Sequence, residues 1–450
     1  MKYYLLLFLV LLQIETGFSQ ERDSIQSFTL QEAVNYAIKN NYSAINARRD
    51  IAAAIKKKWE TTARGLPHIG ADASYTNNLK QPVQLLPGEF VGAPPGTLVP
   101  ITFGTKQQVS ATATATQLLF DGSYIVALQA AKTFLQYSEN AAEKTELEVR
   151  KNVIEAYGNV LLALESAEIL QKNKETLEIN VFETKEIYQN GLTDLESVQQ
   201  LQITLSQVES QLRNAQRMVD ISRQMLKLTL GIPIEESILL EDDLDSLARE
   251  QISLQLLNED LEIENNIDYR IAKNLTQQRE LELKLEKSKA LPTLSTFINY
   301  GTVANNDEFE FLQEDQKWYQ SSVWGISLHI PIFSSFERQA RTQQAKIALE
   351  QAETQLTAAR QQILLQVNSA KSDYVLAIEN YRTAKKNLEL AERIAEKNQV
   401  KFREGLASSF ELRQAQTQLY AAQQNLLQAM LDIIRTKAEL ETILNTPNPN

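Results

Sequence analysis

Few side chains in this sequence could bind a metal or act as a nucleophile. The 450 residues include two histidines, His68 and His329, and no cysteine. A zinc site built from histidine and thiolate ligands is therefore excluded, and no glycine-rich phosphate-binding loop occurs. Both histidines fall on the polar faces of predicted strands, which favours hydrated side chains over metal ligands. We predict no metal site, no cofactor, no catalytic residues and no enzymatic activity.

Carboxylates are abundant, but they are not arranged as a catalytic pair. They lie among lysines and arginines on helix faces, where solvation is the usual state. The formal net charge of −12 argues against nucleic acid as a partner, because phosphates attract basic surfaces. We therefore seek the function in what the secondary-structure elements assemble, and not in a single reactive side chain.

The N-terminus predicts a secretory signal peptide over residues 1–19. A short basic start precedes an apolar run at 5–12 and small residues up to Ser19, which is the order found in cleaved signals. The apolar run is too short to span a membrane, and no later stretch approaches 18 apolar residues. Because there is no cysteine, lipid attachment through a lipobox is also excluded.

One unit of sequence occurs twice. YQNGLT at 188–193 returns as FREGLA at 402–407, and LFDG at 119–122 returns as IFSS at 332–335. Such duplication predicts a repeated strand–long helix–turn–helix unit.

The duplication gives the predicted domain organisation. The first repeat, 20–231, contains a helix, a β-hairpin at about 67–120, a long helix at 121–190 and a helix at 194–230. A middle segment follows at 232–260. The second repeat, 261–450, contains a helix, a β-hairpin at about 292–333, a long helix at 334–403 and a helix at 409–445.

The second long helical pattern carries two apolar periods. Over 334–403 there is neither proline nor glycine, and about 70 residues make a helix of roughly 105 Å. Its apolar stripe repeats every eleven residues up to Val367 and every seven residues after it. The stripe consists of Ala345, Ala348, Ala352, Leu356, Ala359, Ile363, Val367, Ala370, Tyr374, Ala377, Tyr381, Ala384, Leu388, Ala391, Ala395, Asn398 and Phe402. An eleven-residue repeat leaves a helix nearly straight, whereas a heptad drives a left-handed supercoil. Transferred 214 positions back, the stripe predicts a buried face on the first long helix that includes Phe134 and Tyr188.

Four segments alternate apolar and polar residues as strands do, at 68–76, 109–116, 294–301 and 324–330. Phe297 alone departs from the pattern. Alternation of this length is typical of outer-membrane barrel strands, and it fits a half-buried soluble sheet equally well. Four strands cannot close a barrel, and an open sheet in lipid leaves backbone groups unpaired. Membrane strands would therefore require an oligomer.

The segments that join the strands within each pair are predicted to be loops. Residues 81–100 contain five prolines and three glycines, which predicts neither helix nor strand. Residues 303–317 are polar and acidic.

The order helix, hairpin, long helix, glycine turn, helix, repeated behind a signal peptide, resembles the TolC family of outer-membrane efflux proteins. The resemblance covers 28–444. It rests on the turns at Gly191 and Gly405, on the two strand-to-helix corners and on the opening FTLQEAV at 28–34. It implies a mainly helical fold with a small membrane β part, in which a homotrimer forms a 12-stranded β-barrel continued by a 12-helix periplasmic α-barrel. The middle segment would lie in an equatorial belt of mixed structure.

The resemblance implies a passive exit duct in the outer membrane for a tripartite efflux or type I secretion system. Its partners would be outer-membrane lipid, an inner-membrane pump of the RND or ABC type, and a periplasmic adaptor protein. The adaptor would dock at a tip formed by Gly191, Leu192, Thr193, Gly405, Leu406 and Ala407. Drug efflux, metal efflux and protein secretion are equally compatible with the residues. A secreted periplasmic coiled-coil scaffold without channel activity is the alternative interpretation.

The resemblance also implies a pore constriction at the tip, formed by Glu411, Gln414 and Ser197. Glu411 falls where the family has an acidic ring, and three close carboxylates would favour cations and disfavour full ionisation. The sequence departs from the family in having Gln414 at the next ring position. Ala407 replaces a basic gating residue and Ser197 replaces its acidic partner, so hydrogen bonds would have to substitute for a salt bridge. A solvated charge on a helix face is the simpler interpretation of Glu411.

Overall fold

A computed structural model of the chain describes residues 26–258 and 261–445. The predicted signal peptide, 1–19, lies outside the described residues. The helices are α1 Leu30–Asn40, α2 Tyr42–Ala63, α3 Gly122–Gln189, α4 Leu195–Leu230, α5 Leu244–Glu250, α6 Ile267–Ser288, α7 Glu337–Arg403 and α8 Ser409–Leu444. The strands are β1 Gln26–Phe28, β2 His68–Asn77, β3 Val83–Pro87, β4 Leu98–Thr102, β5 Gln107–Asp121, β6 Ile238–Leu240, β7 Thr293–Asn306 and β8 Trp318–His329.

The chain divides into two compact units, and each draws on both halves of the sequence. The unit that we call the helical unit comprises the described residues of Met1–Ala47, Glu143–Asn266 and Gln362–Asn450. The second, the sheet unit, comprises Arg48–Ala142 and Ile267–Gln361. None of the helices in the described part of the chain is both long enough and apolar enough to cross a membrane.

The sheet unit contains a four-stranded antiparallel sheet in the order β2-β5-β7-β8. All four alternating segments of the sequence are therefore strands of one sheet. The register explains why Phe297 breaks the pattern, because it pairs with Gly325 on β8. A Cβ atom added at Gly325 would come within 2.6 Å of the Phe297 ring, so the ring fills the space left by the missing side chain.

The prediction that residues 81–100 contain no strand is wrong. β3 and β4 form an antiparallel two-stranded ribbon in which Val83 pairs with Thr102 and Leu85 with Pro100. Proline is tolerated there because each strand of a two-stranded ribbon is an edge and need not donate every N–H to a partner. Pro87 is the last residue of β3. No further inter-strand hydrogen bond is therefore lost beyond it.

The predicted start of the second long helix, at 334, is wrong by three residues. Ser335 and Phe336 adopt left-handed backbone angles, with φ of 48° and 64°, and a residue in that region cannot belong to a right-handed helix. α7 therefore begins at Glu337. The equivalent corner of the first repeat has no such break. There α3 begins at Gly122, and Asp121 Oδ1 accepts a hydrogen bond of 2.7 Å from the Ser123 N–H.

The apolar stripe is the buried face of α7, but its transfer to α3 is wrong at two positions. On α7, every buried residue except Ile378 belongs to the stripe. On α3, Phe134 is 44% exposed and Tyr188 is 39% exposed. Near Phe134 the neighbouring Thr133 is buried instead, so the buried face is turned by one residue. Tyr188 lies in the last turn of α3, beside the solvent-exposed Gly191 turn.

The core of the helical unit is anchored by two fully buried tyrosines. The Tyr157 hydroxyl lies 2.8 Å from both the Phe28 carbonyl oxygen and Asp242 Oδ2. The Tyr374 hydroxyl donates to the Gln251 carbonyl at 2.6 Å and accepts from the Ser253 N–H at 2.8 Å. Both hydroxyls thus attach residues of the 232–260 segment to a long helix.

Candidate functional site

The two glycine turns, at residues 190–194 and 404–408, share one backbone geometry. Gly191 and Gly405 have φ of 72° and 71°, and no atom lies within 4 Å of a Cβ built on either. In the first turn, the Gly191 N–H donates to Tyr188 O at 2.8 Å and the Leu192 N–H to Ile187 O at 3.1 Å. The second turn repeats both bonds. This pairing is the Schellman motif, which satisfies the last carbonyls of a helix and favours glycine at its left-handed residue.

A capped helix follows each turn, but the two N-terminal caps differ. Asp194 caps α4 by accepting a hydrogen bond of 2.7 Å from the Ser197 N–H. Ser408 caps α8, and Glu411 returns the contact by accepting from the Ser408 N–H at 2.8 Å. The second helix therefore begins with a capping box.

These hydrogen bonds set the ionisation of both carboxyls. The bonds that the Ser408 N–H and hydroxyl donate hold the pKa of Glu411 below its usual value. A hydrogen bond from the Ser197 side chain and, with a smaller effect, one from the Ser197 N–H likewise lower the pKa of Asp194. Within one chain, both groups are therefore stabilised as carboxylates.

The predicted docking residues lie at the surface of the two turns. Leu192 and Leu406 are 79% and 77% exposed, whereas Thr193 and Ala407 are half-buried. A leucine at this place in a Schellman motif often packs on the preceding helix. Here both leucines extend into solvent, which leaves two equivalent apolar side chains for a partner.

The predicted constriction residues do not form one cluster within a chain. Glu411 and Gln414 are exposed on the first turns of α8. Ser197 is buried, and its Oγ accepts a hydrogen bond of 2.9 Å from the Ser409 hydroxyl. The structure therefore pairs Ser197 with Ser409, and Glu411 with Ser408.

Sequence reasoning missed both serines. The Ser408 contact could have been found, because serine followed three residues later by glutamate at a helix start is the capping-box pattern. Ser409 offered no such signal, since its bond to Ser197 depends on the packing of α4 against α8.

Neutral side chains join α3 to α7 and to α8. Asn180 on α3 lies 2.5 Å from Gln399 on α7, and Asn173 on α3 donates to Gln423 on α8 at 2.9 Å. An ion pair, Arg403 to Glu183 at 3.3 Å, also joins α7 to α3, but both side chains are exposed. Exposed pairs contribute little stability, so amides and hydroxyls carry most of the polar attachment here.

A groove of about 800 Å³ lies between α3, α4 and α8. Burial raises the pKa of the Tyr420 hydroxyl on its wall to about 12. None of the residues that line the groove is charged. They are Asn159, Leu162, Ala163, Ser166, Leu170, Asn173, Thr204, Gln207, Val208, Gln211, Asn214, Ala215, Met218, Ser222, Met225, Thr417, Tyr420, Ala421, Gln424 and Gln428. In the part of the chain that the structure describes, no group of three His, Asp or Glu side chains could hold a metal.

Known proteins are similar in sequence to this chain over most of its length. The family model for outer membrane efflux proteins matches residues 33–232 and 260–446. The outer membrane protein TolC of Vibrio cholerae is 22% identical over 421 residues, which are 93% of this chain and 90% of TolC. The alkaline protease secretion protein AprF of Pseudomonas aeruginosa is 22% identical over 317 residues, 69% of this chain and 63% of AprF.

A solved structure shows the same fold. The outer membrane protein VceC of Vibrio cholerae superposes with a TM-score of 0.70 at 16% identity, covering 92% of this chain and 95% of VceC. The chain thus belongs to the outer membrane efflux protein family. It is a TolC-like protein of the outer membrane with its helical part in the periplasm, and it is not an enzyme. The family resemblance predicted from the sequence is confirmed.

Proposed function

We propose that this protein is the passive outer-membrane duct of a tripartite efflux or type I secretion system and that it works as a homotrimer. The open sheet is the observation that carries this proposal. Its four strands are antiparallel throughout, so the edge strands β2 and β8 run in opposite directions. β8 of one copy can therefore pair antiparallel with β2 of the next. Three copies would close a barrel of twelve strands and remove the unpaired edges that lipid does not tolerate.

The helical part of the duct is proposed to follow the duplicated organisation. The first repeat, 20–231, and the second, 261–450, would each supply helices to a 12-helix periplasmic tunnel, with 232–260 as the equatorial segment. The two separate matches of the family model, on either side of residues 233–259, support this division. The outer-membrane location does not support the alternative interpretation, which is a secreted scaffold without channel activity.

The glycine turns are proposed to dock a periplasmic adaptor protein, which connects the duct to an inner-membrane pump of the RND or ABC type. The exposed Leu192 and Leu406 side chains support this, because a fixed turn presents each of them to a partner at little cost in ordering. AprF is named for protease secretion. Proteins are therefore one class of cargo compatible with this chain, besides drugs and metal ions.

Adaptor docking is tested by two aspartate substitutions. In a strain that carries the cognate adaptor, Leu192→Asp together with Leu406→Asp is expected to lower the amount of adaptor recovered with the affinity-purified duct by about tenfold or more, since burying a charge in an apolar contact is costly. Leu254→Asp is the matched control, because Leu254 is also exposed, at 58%, but lies in the middle segment. Unchanged recovery of the adaptor with the double variant would contradict docking at these turns.

The pore constriction is proposed to involve Glu411, Gln414 and Ser197 from each copy. Exposure of Glu411 and its low pKa support a ring of carboxylates that attracts cations. Glu411→Ala is expected to weaken the block of channel conductance by trivalent cations, whereas Glu196→Ala, an exposed acid in the first turn of α4, is not. An unaltered block in the Glu411 variant would remove this residue from the constriction.

A further inference from the structure

The two histidines of the chain lie on opposite edges of the four-stranded sheet. His68 is the first residue of β2 and His329 is the last residue of β8, and both side chains are exposed. β2 and β8 are the edge strands, so about 14 Å of sheet separates the two histidines. Within one copy they therefore cannot bind a common ligand.

The strand register nevertheless places both histidines on one face of the sheet. His68 pairs with Thr116, which pairs with Phe297. Phe297 in turn pairs with Gly325 on β8. Directly paired residues share a face, and side chains alternate between the faces along a strand. His329, four residues after Gly325, therefore lies on the same face as His68.

This shared face is the polar face of the sheet. On β2 it carries Asp72 and Ser74, and the Ser74 hydroxyl lies 2.8 Å from the Ser110 hydroxyl on β5. The opposite face carries exposed apolar residues such as Ile69 on β2 and Ile326 on β8. A barrel in lipid has its apolar face outward, so both histidines would face the lumen of the proposed trimer.

Closing three such sheets into one barrel shifts neighbouring copies along their strands. Four strands span about 19 Å across the sheet, and barrel strands tilt by about 35–45°. Each copy is then shifted by about 13–19 Å against the next, which is about four to six residues at about 3.3 Å each. An odd shift would turn the polar face of one copy outward. The shift is therefore four or six residues.

This shift brings the two histidine positions together. Without it, His68 of the next copy would lie level with Gly325 on β8. A shift toward the end of β8 places it opposite His329 or Pro331, and all 10 residues of its strand then lie opposite residues 320–331. The reverse shift leaves only the stretch 318–321 of β8 opposite β2 at most, which exposes backbone groups to lipid. His329 of one copy is therefore the direct or the diagonal neighbour of His68 in the next.

Two histidines in this relation can share a metal ion. Direct neighbours have Cβ atoms about 4.5–5.5 Å apart, and diagonal neighbours about 7 Å. The imidazole rings extend beyond these atoms, and Zn–N bonds are about 2.0–2.1 Å long. Imidazole nitrogen suits zinc, copper and nickel ions. Asp72, four residues after His68 on the same face, adds negative charge that favours a cation there.

We propose that each seam of the trimer, where β8 of one copy meets β2 of the next, binds a divalent transition-metal ion such as Zn²⁺. His329 of one copy and His68 of the next would be its protein ligands. Three such sites would surround the lumen at the periplasmic end of the barrel, with their remaining coordination positions open to water. The sequence prediction of no metal site considered a single chain, in which these ligands are apart. The inference rests on the proposed homotrimer and not on adaptor docking or on the cargo.

Native mass spectrometry of the full chain, purified in detergent without a histidine tag, tests this proposal. With Zn²⁺ added, the wild-type trimer is expected to retain three ions, whereas His68→Gln and His329→Gln should each remove all three. Ser327→Ala, two residues before His329 on the same face, is the matched control and should keep them. Mg²⁺, which prefers oxygen ligands, should not give the three-ion species. Zinc retention that either histidine substitution leaves unchanged would overturn the proposal.

Mixed trimers test whether the two ligands come from different copies. The His68→Gln and His329→Gln chains are produced together, with tags of different mass. Every trimer that contains both kinds of chain has one seam with both histidines, so it should retain one ion, although neither homotrimer retains any. Mixed trimers without an ion would overturn the site. Wild-type trimers without zinc would overturn this site alone, whereas a protein that is monomeric in the spectra would overturn the proposed trimer as well.

Discussion

At the scale of single residues, the two glycine turns show why the same chemistry recurs 214 positions apart. Each turn ends a helix of more than 60 residues and must reverse the chain within a few residues. A left-handed residue at the C-terminus achieves this, and glycine adopts that conformation without steric cost. Apart from the glycine itself and its two chain neighbours, no atom lies within 4 Å of a Cβ built on Gly191 or Gly405. The effect of a substitution there therefore comes from the backbone conformation.

Gly405→Ala is expected to destabilise the protein by about 1 kcal/mol per chain, which is the usual penalty for an L-residue in the left-handed region. Gly191→Ala should cost the same amount. The measurement is the midpoint of thermal loss of helical circular dichroism.

Gly70→Ala is the control for these variants. Gly70 is a strand residue without a left-handed φ, and a Cβ atom added to it would have no other atom within 4 Å. The substitution should leave the midpoint unchanged or raise it slightly. Equal midpoints for Gly405→Ala and Gly70→Ala would show that backbone strain does not determine the choice of glycine at the turn.

The sequence located the turn residues but not their side-chain partners. Gly405 could be predicted from the sequence because few residue types adopt a left-handed backbone conformation. The pairing of Ser197 with Ser409 joins positions that lie 212 residues apart, and nothing in either local pattern indicates it. Ser197 and Glu411 are equivalent in position, since each is the third residue of its helix. Their environments nevertheless differ, because only Ser197 is buried.

At the scale of elements, the apolar stripe predicted the buried face of α7 but could not predict the exact face of α3. Alanine-rich positions such as Ala370 and Ala377 are buried because they allow close approach of a neighbouring helix. Phe134 is too large to be equivalent to the alanine 214 positions later, and the neighbouring Thr133 takes the buried place. The straight and supercoiled halves of the long helices stay a prediction.

The 232–260 segment is fixed to the long helices by polar contacts that no periodicity reveals. Tyr157 holds Asp242, which also accepts a hydrogen bond of 2.7 Å from the Leu30 N–H. Burial raises the pKa of Tyr157 far above its usual value, and the hydrogen bond to the Asp242 carboxylate raises it further. The hydroxyl therefore stays protonated and acts as a donor at any physiological pH.

Tyr157→Phe is expected to destabilise the helical unit by about 1–2 kcal/mol, because it removes a hydrogen bond and leaves buried acceptors with one donor fewer. Hydrogen exchange of β1 and β6, followed by mass spectrometry, should accelerate before global unfolding does.

Tyr420→Phe is the matched control for this change. Tyr420 is also largely buried, but no hydrogen bond to its hydroxyl occurs among the described residues, so its removal should cost little. If both variants exchange at the wild-type rate, the Tyr157 hydroxyl does not hold the middle segment in place.

At the scale of the whole molecule, the decisive feature is a sheet that one chain cannot complete. The alternation along β2, β5, β7 and β8 was readable from the sequence, and it indicated too few strands for a barrel. The order of the strands and their antiparallel register came only from the structure. The ribbon formed by β3 and β4 was not predicted because proline usually interrupts a strand, although it is compatible with an edge strand.

The most direct test of the central claim is single-channel recording from the purified, detergent-solubilised oligomer in a planar lipid bilayer. A trimeric duct predicts discrete conductance steps of one unit size, from a species that runs as a trimer before heating and as a monomer after it. A protein that purifies without detergent, or that inserts without producing conductance steps, would contradict the account.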